Sequence, residues 1–255
     1  TTIPTKSLEL LKNKELIAIN QDELALQAYV VKQEEGVSLY VKDIQTLNGT
    51  KRAVAIYNPT ENERNFELKM GDVDLDGTVK VRDVFAHKDM PKVENGIMNV
   101  NILPHDTRIF VLNAEKRNAH TIYEAETAWL ERFPCLGINH SLGYANYADS
   151  ECCSGGAKVE WLGNNKDNYM EWRNVFCSED GVYNMILSYV TNEDRSVYCS
   201  VNGNTDFEIK TPGNDKNCVR TVSCQIRLKK GMNTIRLGNA DAWCPDIDKI
   251  EIARL

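Results

Sequence analysis

Apolar and polar residues alternate along most of this chain, and a helical spacing occurs only near its start. In residues 5–20, Leu8 and Leu11 are three positions apart, and Leu10 and Ile17 are two turns apart. This spacing predicts one amphipathic helix. A lone helix of this length is marginal in water. Because nothing else in the chain is clearly helical, we expect it to be the last helix of a larger domain.

Residues 25–113 follow the period of β-strands. The strongest runs, Val37–Val41 and Arg52–Tyr57, are rich in β-branched and aromatic residues, and Asn58-Pro59 ends the second run. Short strands separated by turn residues predict an antiparallel β-sandwich. The polar run Asn113–His120 predicts a linker after it.

A second all-β pattern covers residues 121–255. Roughly eight strands separated by Gly and Asn turns are typical of a jelly roll. We therefore expect an all-β chain in three parts: a helix in 1–24, a β-sandwich in 25–114 and a jelly roll in 119–255. After an opening strand, the predicted strands of the last part are Ala157–Leu162, Tyr169–Phe176, Gly181–Val190, Ser196–Val201, Cys218–Leu228, Asn233–Leu237 and Ile247–Ala253.

The opening strand, Thr121–Ala128, carries two carboxylates. Side chains alternate between the faces of a strand, so Glu124 and Glu126 should point the same way, and Tyr123 and Ala125 the other way. Adjacent carboxylates repel each other. They are tolerated if they are solvated or if a cation lies between them.

Charge and hydropathy exclude some partners. The 255 residues have a formal net charge of −7, which argues against a nucleic-acid partner because the phosphate backbone requires a basic surface. No apolar run approaches the roughly 20 residues of a membrane span. The first residues lack the pattern of a signal peptide. Either the protein is cytosolic, or a signal or a larger N-terminal part has been removed.

Cysteine usage is uneven, since all eight cysteines follow residue 134. An even, clustered set predicts disulfides and an oxidising compartment. We accordingly expect an extracellular or periplasmic location. The alternative is that the cysteines are free buried thiols acting as small apolar side chains.

Several short sequence motifs in the first part resemble those of a known family. Leu11–Asp22, with Asn13-Lys-Glu and Ala18-Ile-Asn-Gln-Asp22, resembles the end of the catalytic barrel of family 27 glycoside hydrolases, the α-galactosidase family. Val81–Asp89 and Leu103–Leu112 resemble the C-terminal β-sandwich of that family. The resemblance covers residues 1–113. It implies an upstream (β/α)8 barrel that carries both catalytic aspartates. No position here matches the catalytic motifs, so no catalytic residue is expected in this chain.

The second part resembles a carbohydrate-binding module of family 35, or of the related family 6. The words that carry the resemblance include Tyr123-Glu-Ala-Glu126, Ser154-Gly-Gly156, Gly181-Val-Tyr183 and Pro245–Ile252. It implies a structural calcium ion held by Glu124, Glu126 and Asp248. Calcium takes six to eight oxygen ligands, so carbonyls or water must complete the set. The alternative is a solvated acidic strand edge.

A second acidic pattern, Asp72–Asp83, has the spacing of an EF-hand loop. An EF-hand requires flanking helices, and this region has the pattern of strands. We interpret it as an acidic turn between strands.

Sugar binding requires an aromatic platform and polar groups that reach hydroxyls. A tryptophan in a polar loop is a better platform than Trp161 or Trp172, which fall in predicted strands and are expected in the core. The alternative for Trp243 is packing under its own loop. The candidates, all in predicted loops of the second part, are Trp243, Asn239, Asp241, Tyr144, Asn146 and Tyr147.

The sequence therefore predicts the non-catalytic C-terminal region of a secreted α-galactosidase-like hydrolase, which binds a galactoside or a plant polysaccharide through its jelly roll. Two alternatives remain open. The chain could hydrolyse glycosides in its own right, or it could be a purely structural or protein-binding pair of sandwiches.

Overall fold

The computed structural model describes residues 3–44, 49–131, 143–213 and 218–255, and for Lys6 the backbone only. The chain divides into two compact units, residues 1–119 (unit 1) and 120–255 (unit 2). All strand pairs in the described residues are antiparallel, and the predicted all-β fold is confirmed. None of the described helices has the length and apolar character needed to cross a bilayer.

Unit 1 begins with two short helices, α1 (Thr5–Lys12) and α2 (Lys14–Asn20). The prediction of one continuous helix is wrong at Asn13. This buried side chain accepts hydrogen bonds from the backbone N–H groups of Glu15 and Leu16, at 2.9 and 3.2 Å, and so caps α2. Its Nδ2 donates to the carbonyl of Val84 at 3.1 Å. The helix is interrupted because Asn13 caps its second half and anchors it to the sandwich.

The strands of unit 1 form a six-stranded sheet, in the order β1-β2-β3-β8-β5-β6, and a separate pair β4-β7. Their bounds are β1 Tyr29–Glu34, β2 Val37–Asp43, β3 Lys51–Asn58, β4 Arg64–Lys69, β5 Leu75–Asp83, β6 Lys88–Asp89, β7 Ile97–Ile102 and β8 Asp106–Arg117. Apolar side chains from both sheets form one core, with Leu39, Ile56, Leu68 and Leu112 fully buried.

Strand β8 extends through most of the polar run that was predicted to be a linker. Arg117 ends the strand and is buried, with its Nη1 2.7 Å from Oδ1 of Asp43. Arg52 is fully buried and lies on the same carboxylate, its Nε 3.1 Å from Oδ1. The run can be a strand because the charge of Arg117 at its end is neutralised inside the sandwich. The polar composition of the run did not reveal this ion pair.

The acidic stretch Asp72–Asp83 is only in part the turn that its sequence pattern predicts, because the turn ends at Asp74 and Leu75–Asp83 form β5. Residues Met70–Val73 form a 3-10 turn, and Asp74 follows in a left-handed conformation. Both acids face cations: Asp74 lies 2.8 Å from Arg52, and Asp72 lies 3.3 Å from Lys32.

Unit 2 is a sandwich of two antiparallel sheets, in the orders β10-β13-β18-β15-β16 and β11-β12-β19-β14-β17, with β9 paired to β19. The bounds are β9 Ile122–Glu124, β10 Trp129–Leu130, β11 Asn146–Asp149, β12 Ala157–Glu160, β13 Tyr169–Cys177, β14 Gly181–Val190, β15 Arg195–Val201, β16 Phe207–Thr211, β17 Arg220–Leu228, β18 Gly231–Gly238 and β19 Asp246–Arg254. The core between the sheets includes Trp172, Met185, Leu187 and Ile250, all fully buried. The prediction that Trp172 is a core residue is confirmed.

The opening strand of unit 2 is shorter than predicted. It ends at Glu124, and Ala125–Thr127 form a 3-10 turn. The hydroxyl of Thr127 donates to the carbonyl of Glu124 at 2.7 Å and closes that turn. Tyr123 and Ala125 nevertheless point into the core, as their apolar character predicts.

Seven cysteines lie within the described residues, and all seven are free thiols. The disulfides predicted from their clustering are not formed among them, and Cys135 lies outside the described residues. Cys153, Cys177, Cys199 and Cys244 are buried. They fit the alternative of apolar thiols, and burial raises the pKa of Cys244 to about 12.

Candidate functional site

Two segments at the ends of strands in unit 2 are held together by one buried asparagine, Asn168. Its Nδ2 donates to the carbonyls of Gly163 at 2.6 Å and Trp161 at 2.8 Å. Its Oδ1 accepts from the N–H of Ala145 at 2.8 Å. Asn168 thus joins the loop after β12 to the segment before β11.

The loop between β18 and β19 joins the same cluster through its backbone. The N–H of Asn164 donates to the carbonyl of Ala242 at 2.8 Å, and the N–H of Cys244 donates to Leu162 at 2.9 Å. Between these bonds, Gly163 has a φ of +92°, and a Cβ there would lie 2.5 Å from the oxygen of Ala242. Only glycine fits this position. We call the three segments, residues 143–145, 161–168 and 239–245, the loop cluster.

Two tryptophan rings lie side by side in the loop cluster. Trp161 and Trp243 pack edge to face, with centroids 5.6 Å apart and planes at 82°. Trp161 is 44% exposed, and Trp243 is half-buried. The prediction that Trp161 belongs to the core is wrong. Strand β12 stops at Glu160, and the left-handed φ of +58° at Trp161 turns the chain out of the sheet.

Asn239 and Asp241, both predicted to contact sugar, have different environments. Asn239 is buried, and its Oδ1 accepts from the N–H groups of Asp241 and Ala242 at 3.1 and 3.2 Å. Its Nδ2 donates to the carbonyl of Ser196 at 3.1 Å. This placement argues against direct sugar contact and makes Asn239 a residue that shapes the loop. Asp241 is exposed.

The three candidates before β12 are separated by the structure. Asn146 and Tyr147 lie in β11, where a loop was predicted. Tyr147 packs against the core and donates to the carbonyl of Ala128 at 2.9 Å. Burial raises its pKa to about 12. Tyr147 is only partly buried, and its packing against the core argues against direct sugar contact. Tyr144 is half-buried and directly follows Gly143, whose added Cβ would lie 3.2 Å from the ring of Trp243.

Beside Trp243 a cavity of about 800 Å³ opens to the surface. Its lining includes the indole of Trp243, the amide of Asn164, the guanidinium of Arg195 and four carboxylates, one of them from Asp241. A flat apolar surface with a few convergent polar groups suits a sugar ring, whose faces are apolar and whose rim carries hydroxyls.

The three predicted calcium ligands are grouped around one turn on the other sheet. The N–H of Ser154 donates to Oδ1 of Asp248 at 2.7 Å, and its hydroxyl donates to Oε1 of Glu124 at 2.8 Å. A Cβ on the next residue, Gly155, would lie 2.6 Å from Oε1 of Glu126. The turn Ser154–Gly156 therefore lies against all three carboxylates.

The electrostatics of this carboxylate cluster favour a neutralising partner. Burial, the largest cause, raises the pKa of Glu124, Glu126 and Asp248, and repulsion by Asp248 raises the two glutamate values further. The Oε2 atoms of both glutamates are buried without a hydrogen-bond partner among the described residues. These orphaned oxygens fit a hard cation such as calcium.

The cluster is not a finished metal site. Within the described ranges, no three His, Cys, Asp or Glu side chains are arranged to hold a metal ion as they stand. Ser154 occupies one oxygen of Glu124 and one of Asp248. A cation would have to draw the carboxylates together and recruit carbonyls or water.

The chain is similar to two kinds of known protein. Residues 34–112 match the Melibiase_C family, the C-terminal β-sandwich domain of α-galactosidases. Alpha-galactosidase 3 of Arabidopsis thaliana is 29% identical over 112 residues, which is 43% of this chain and 26% of that protein. The chain thus spans about a quarter of the length of the curated relatives it matches.

Two solved structures are similar as well. A family 35 carbohydrate-binding module from Clostridium thermocellum is 31% identical and covers 52% of this chain and 97% of its own, with a TM-score of 0.46. An isomalto-dextranase of Arthrobacter globiformis, complexed with panose, is 16% identical and covers 84% of this chain and 36% of its own, with a TM-score of 0.51. The second likeness shows a shared fold.

Proposed function

We propose that unit 2 binds carbohydrate and has no catalytic activity. The proposal is supported by a chain that joins an α-galactosidase C-terminal region to a jelly roll with the fold of carbohydrate-binding modules. The observation that carries the proposal is the exposed ring of Trp161, which packs against Trp243, a residue that lines a cavity. An indole that is 44% exposed costs free energy in water. The backbone of Trp161 is nevertheless held in place by the hydrogen bond that Asn168 donates to its carbonyl.

The sugar would stack on the tryptophan pair and direct its hydroxyls at Asp241 and Asn164, which line the same cavity. We propose a galactoside or a galactose-containing plant polysaccharide as the ligand. Binding would hold a tethered catalytic domain close to its substrate and raise its effective concentration there. A polysaccharide ligand also agrees with an extracellular or periplasmic location, which we propose for the protein.

Affinity electrophoresis of the whole chain in gels containing galactomannan tests this proposal. Wild type should be retarded. The variants Trp161→Ala and Trp243→Ala should each raise the apparent Kd for galactomannan at least about tenfold. Trp129→Ala is the matched control, because Trp129 lies under the guanidinium of Arg173 (4.3 Å) and outside the loop cluster. If all three variants are retarded as strongly as wild type, the sugar-binding site lies elsewhere on the chain. No retardation in any of a panel of plant polysaccharides would favour a structural or protein-binding role.

We also propose that the carboxylate cluster holds a structural calcium ion. Glu124, Glu126 and Asp248 would supply carboxylate oxygens. The two positive charges of the ion would offset most of the three negative charges that burial disfavours, and the ion would join the first strand of unit 2 to the last.

An upstream catalytic barrel is the proposed partner of unit 1. Apolar side chains of α1 are exposed, including Leu10 at 49% and Leu11 at 63%. Burial against a neighbouring domain would remove this surface from water. The rival proposal is an enzyme in its own right, and turnover of an aryl α-galactoside by the purified 255-residue chain would establish it.

A further inference from the structure

A gap lies on the outer face of the five-stranded sheet of unit 2. Gly238 in β18 pairs with Tyr169 in β13 on one side and with Tyr198 in β15 on the other. Cross-strand partners point to the same face, and neighbouring strands are about 4.8 Å apart. The two tyrosines therefore flank a gap roughly 10 Å wide above a residue without a side chain. A Cβ on Gly238 would lie 3.1 Å from Cβ of Tyr169 and would begin to fill this gap.

The two walls of the gap differ. Tyr198 is 40% exposed, and its hydroxyl has no hydrogen-bond partner in the described part of the chain. The ring of Tyr169 is covered by the guanidinium of Arg236, 3.4 Å from its centroid. One wall therefore presents an open aromatic face, and the other presents a planar set of hydrogen-bond donors.

Carboxylates complete the rim. The gap is a cavity of about 300 Å³ whose lining includes Asp206 and Asp241, both exposed. Neither carboxylate forms an ion pair with any described cation. Arg236 and Lys166 also line the cavity, so two positive charges balance the two carboxylates. Exposed carboxylate acceptors, guanidinium donors and one open ring, without net charge, fit a neutral saccharide better than an anion or an apolar ligand.

The gap is continuous with the loop cluster. The 300 Å³ cavity and the 800 Å³ cavity beside Trp243 share Tyr198, Asn239 and Asp241 in their linings. We propose that the gap over Gly238 is a second saccharide subsite, and that unit 2 binds an extended stretch of several sugars running from Trp243 to Tyr198. The proposal rests on sugar binding at the loop cluster and adds to it a preference for chain length.

Isothermal titration of the whole chain with melibiose, raffinose and stachyose, which contain two, three and four sugar rings, tests the subsite. Wild type should bind stachyose at least about tenfold more tightly than melibiose. Tyr198→Ala should abolish that gain and lower stachyose affinity more than melibiose affinity. Tyr198→Phe should keep the stacking surface and retain most of the gain. Tyr57→Ala, at an exposed strand tyrosine of unit 1, is the matched control and should behave as wild type.

The outcomes separate this subsite from the loop cluster. A Tyr198→Ala variant with the full length dependence of wild type overturns the subsite, and so does an equal loss for all three sugars. If Trp243→Ala retains stachyose binding that Tyr198→Ala removes, the subsite stands and the loop cluster fails. Wild type that binds none of the three sugars overturns both. Circular dichroism of each variant separates a lost contact from a lost fold.

Discussion

Asn168 donates a hydrogen bond from its fully buried side chain to the backbone carbonyl of Trp161, at 2.8 Å. The exposed ring that carries the proposed function therefore depends on an amide with no solvent-exposed surface. The same Nδ2 donates to Gly163 at 2.6 Å, so the loop after β12 is closed around one group. Positions of this kind orient a binding surface without touching what it binds.

Replacing Asn168 by alanine should weaken both the fold and the proposed sugar site. The change leaves buried carbonyls and the N–H of Ala145 without a partner, at a cost of about 1–3 kcal/mol in the free energy of unfolding. Galactomannan affinity should fall with it, because Trp161 loses its support. Urea denaturation followed by tryptophan fluorescence measures the first effect. Asn204→Ala, at an exposed position, is the control, and an Asn168→Ala variant as stable as that control would contradict the assignment.

Calcium should stabilise the chain if the carboxylate cluster binds it. At a calcium concentration a hundredfold above the Kd, the gain is about 2.7 kcal/mol, visible as a higher Tm. Glu126→Gln should lose the calcium effect. With chelator present it should melt no lower than wild type, since it removes one charge that burial disfavours.

The calcium prediction has a matched control in Glu151→Gln, an exposed glutamate in the same unit. That variant should respond to calcium as wild type does. Identical melting of wild type with calcium and with chelator would remove the site from consideration.

Glu15 should fasten α2 to the sandwich in a pH-dependent way. Hydrogen bonds from Arg82 (2.9 Å) and His87 (2.9 Å) lower its pKa to about 2 from an ordinary 4.5. A lowered pKa means that the contact stabilises fully above 4.5 and is lost as the pH falls toward 2. Glu15→Gln should therefore speed proteolysis of the N-terminal segment at neutral pH and remove its acid dependence. The global cost should stay within about 1 kcal/mol, because the pair is partly exposed.

The control for this contact is Glu9→Gln, at an exposed site on α1. Its proteolysis rate at neutral pH should equal that of wild type. A Glu15→Gln variant with the same rate and the same acid dependence would show that α2 is held by other contacts.

The buried ion network of unit 1 predicts a larger effect. Arg52 lies 2.8 Å from Asp74 and 3.1 Å from Asp43, with no exposed side-chain surface. Arg52→Met should lower the free energy of unfolding by about 3 kcal/mol, the low end for a broken buried pair, because Arg117 still neutralises Asp43. Arg64→Met, at a partly exposed pair, should cost less than about 0.5 kcal/mol. Denaturation followed by far-UV circular dichroism compares the two, and equal costs would mean that burial adds nothing to the pair.

Periodicity was a good guide to the β-strands and a poor guide to where they end. Gly181–Val190 has the same bounds in the sequence and in the structure. The strand predicted to reach Leu162 stops at Glu160, because Asn168 captures the carbonyl of Trp161 from a position seven residues later. Local patterns cannot reveal a hydrogen bond of that kind.

The candidate site was only partly accessible to sequence reasoning for the same cause. Trp243 was found because a tryptophan in a polar loop is unusual. Trp161 was missed because an alternating pattern places it inside. Tyr147 was chosen although it packs against the core. The Tyr169–Gly238–Tyr198 row depends on which strands are neighbours, and a single sequence does not contain that information.

The pairing of β9 with β19 has a further consequence. Glu124 lies opposite Lys249, and the N–H of Ile252 donates to the carbonyl of Thr121 at 2.7 Å. The first and last strands of unit 2 are therefore hydrogen-bonded neighbours. Such a unit can be placed between other domains, or into a surface loop of another protein, without stretching the host chain. In this respect unit 2 is suited to insertion into, or fusion with, other enzymes.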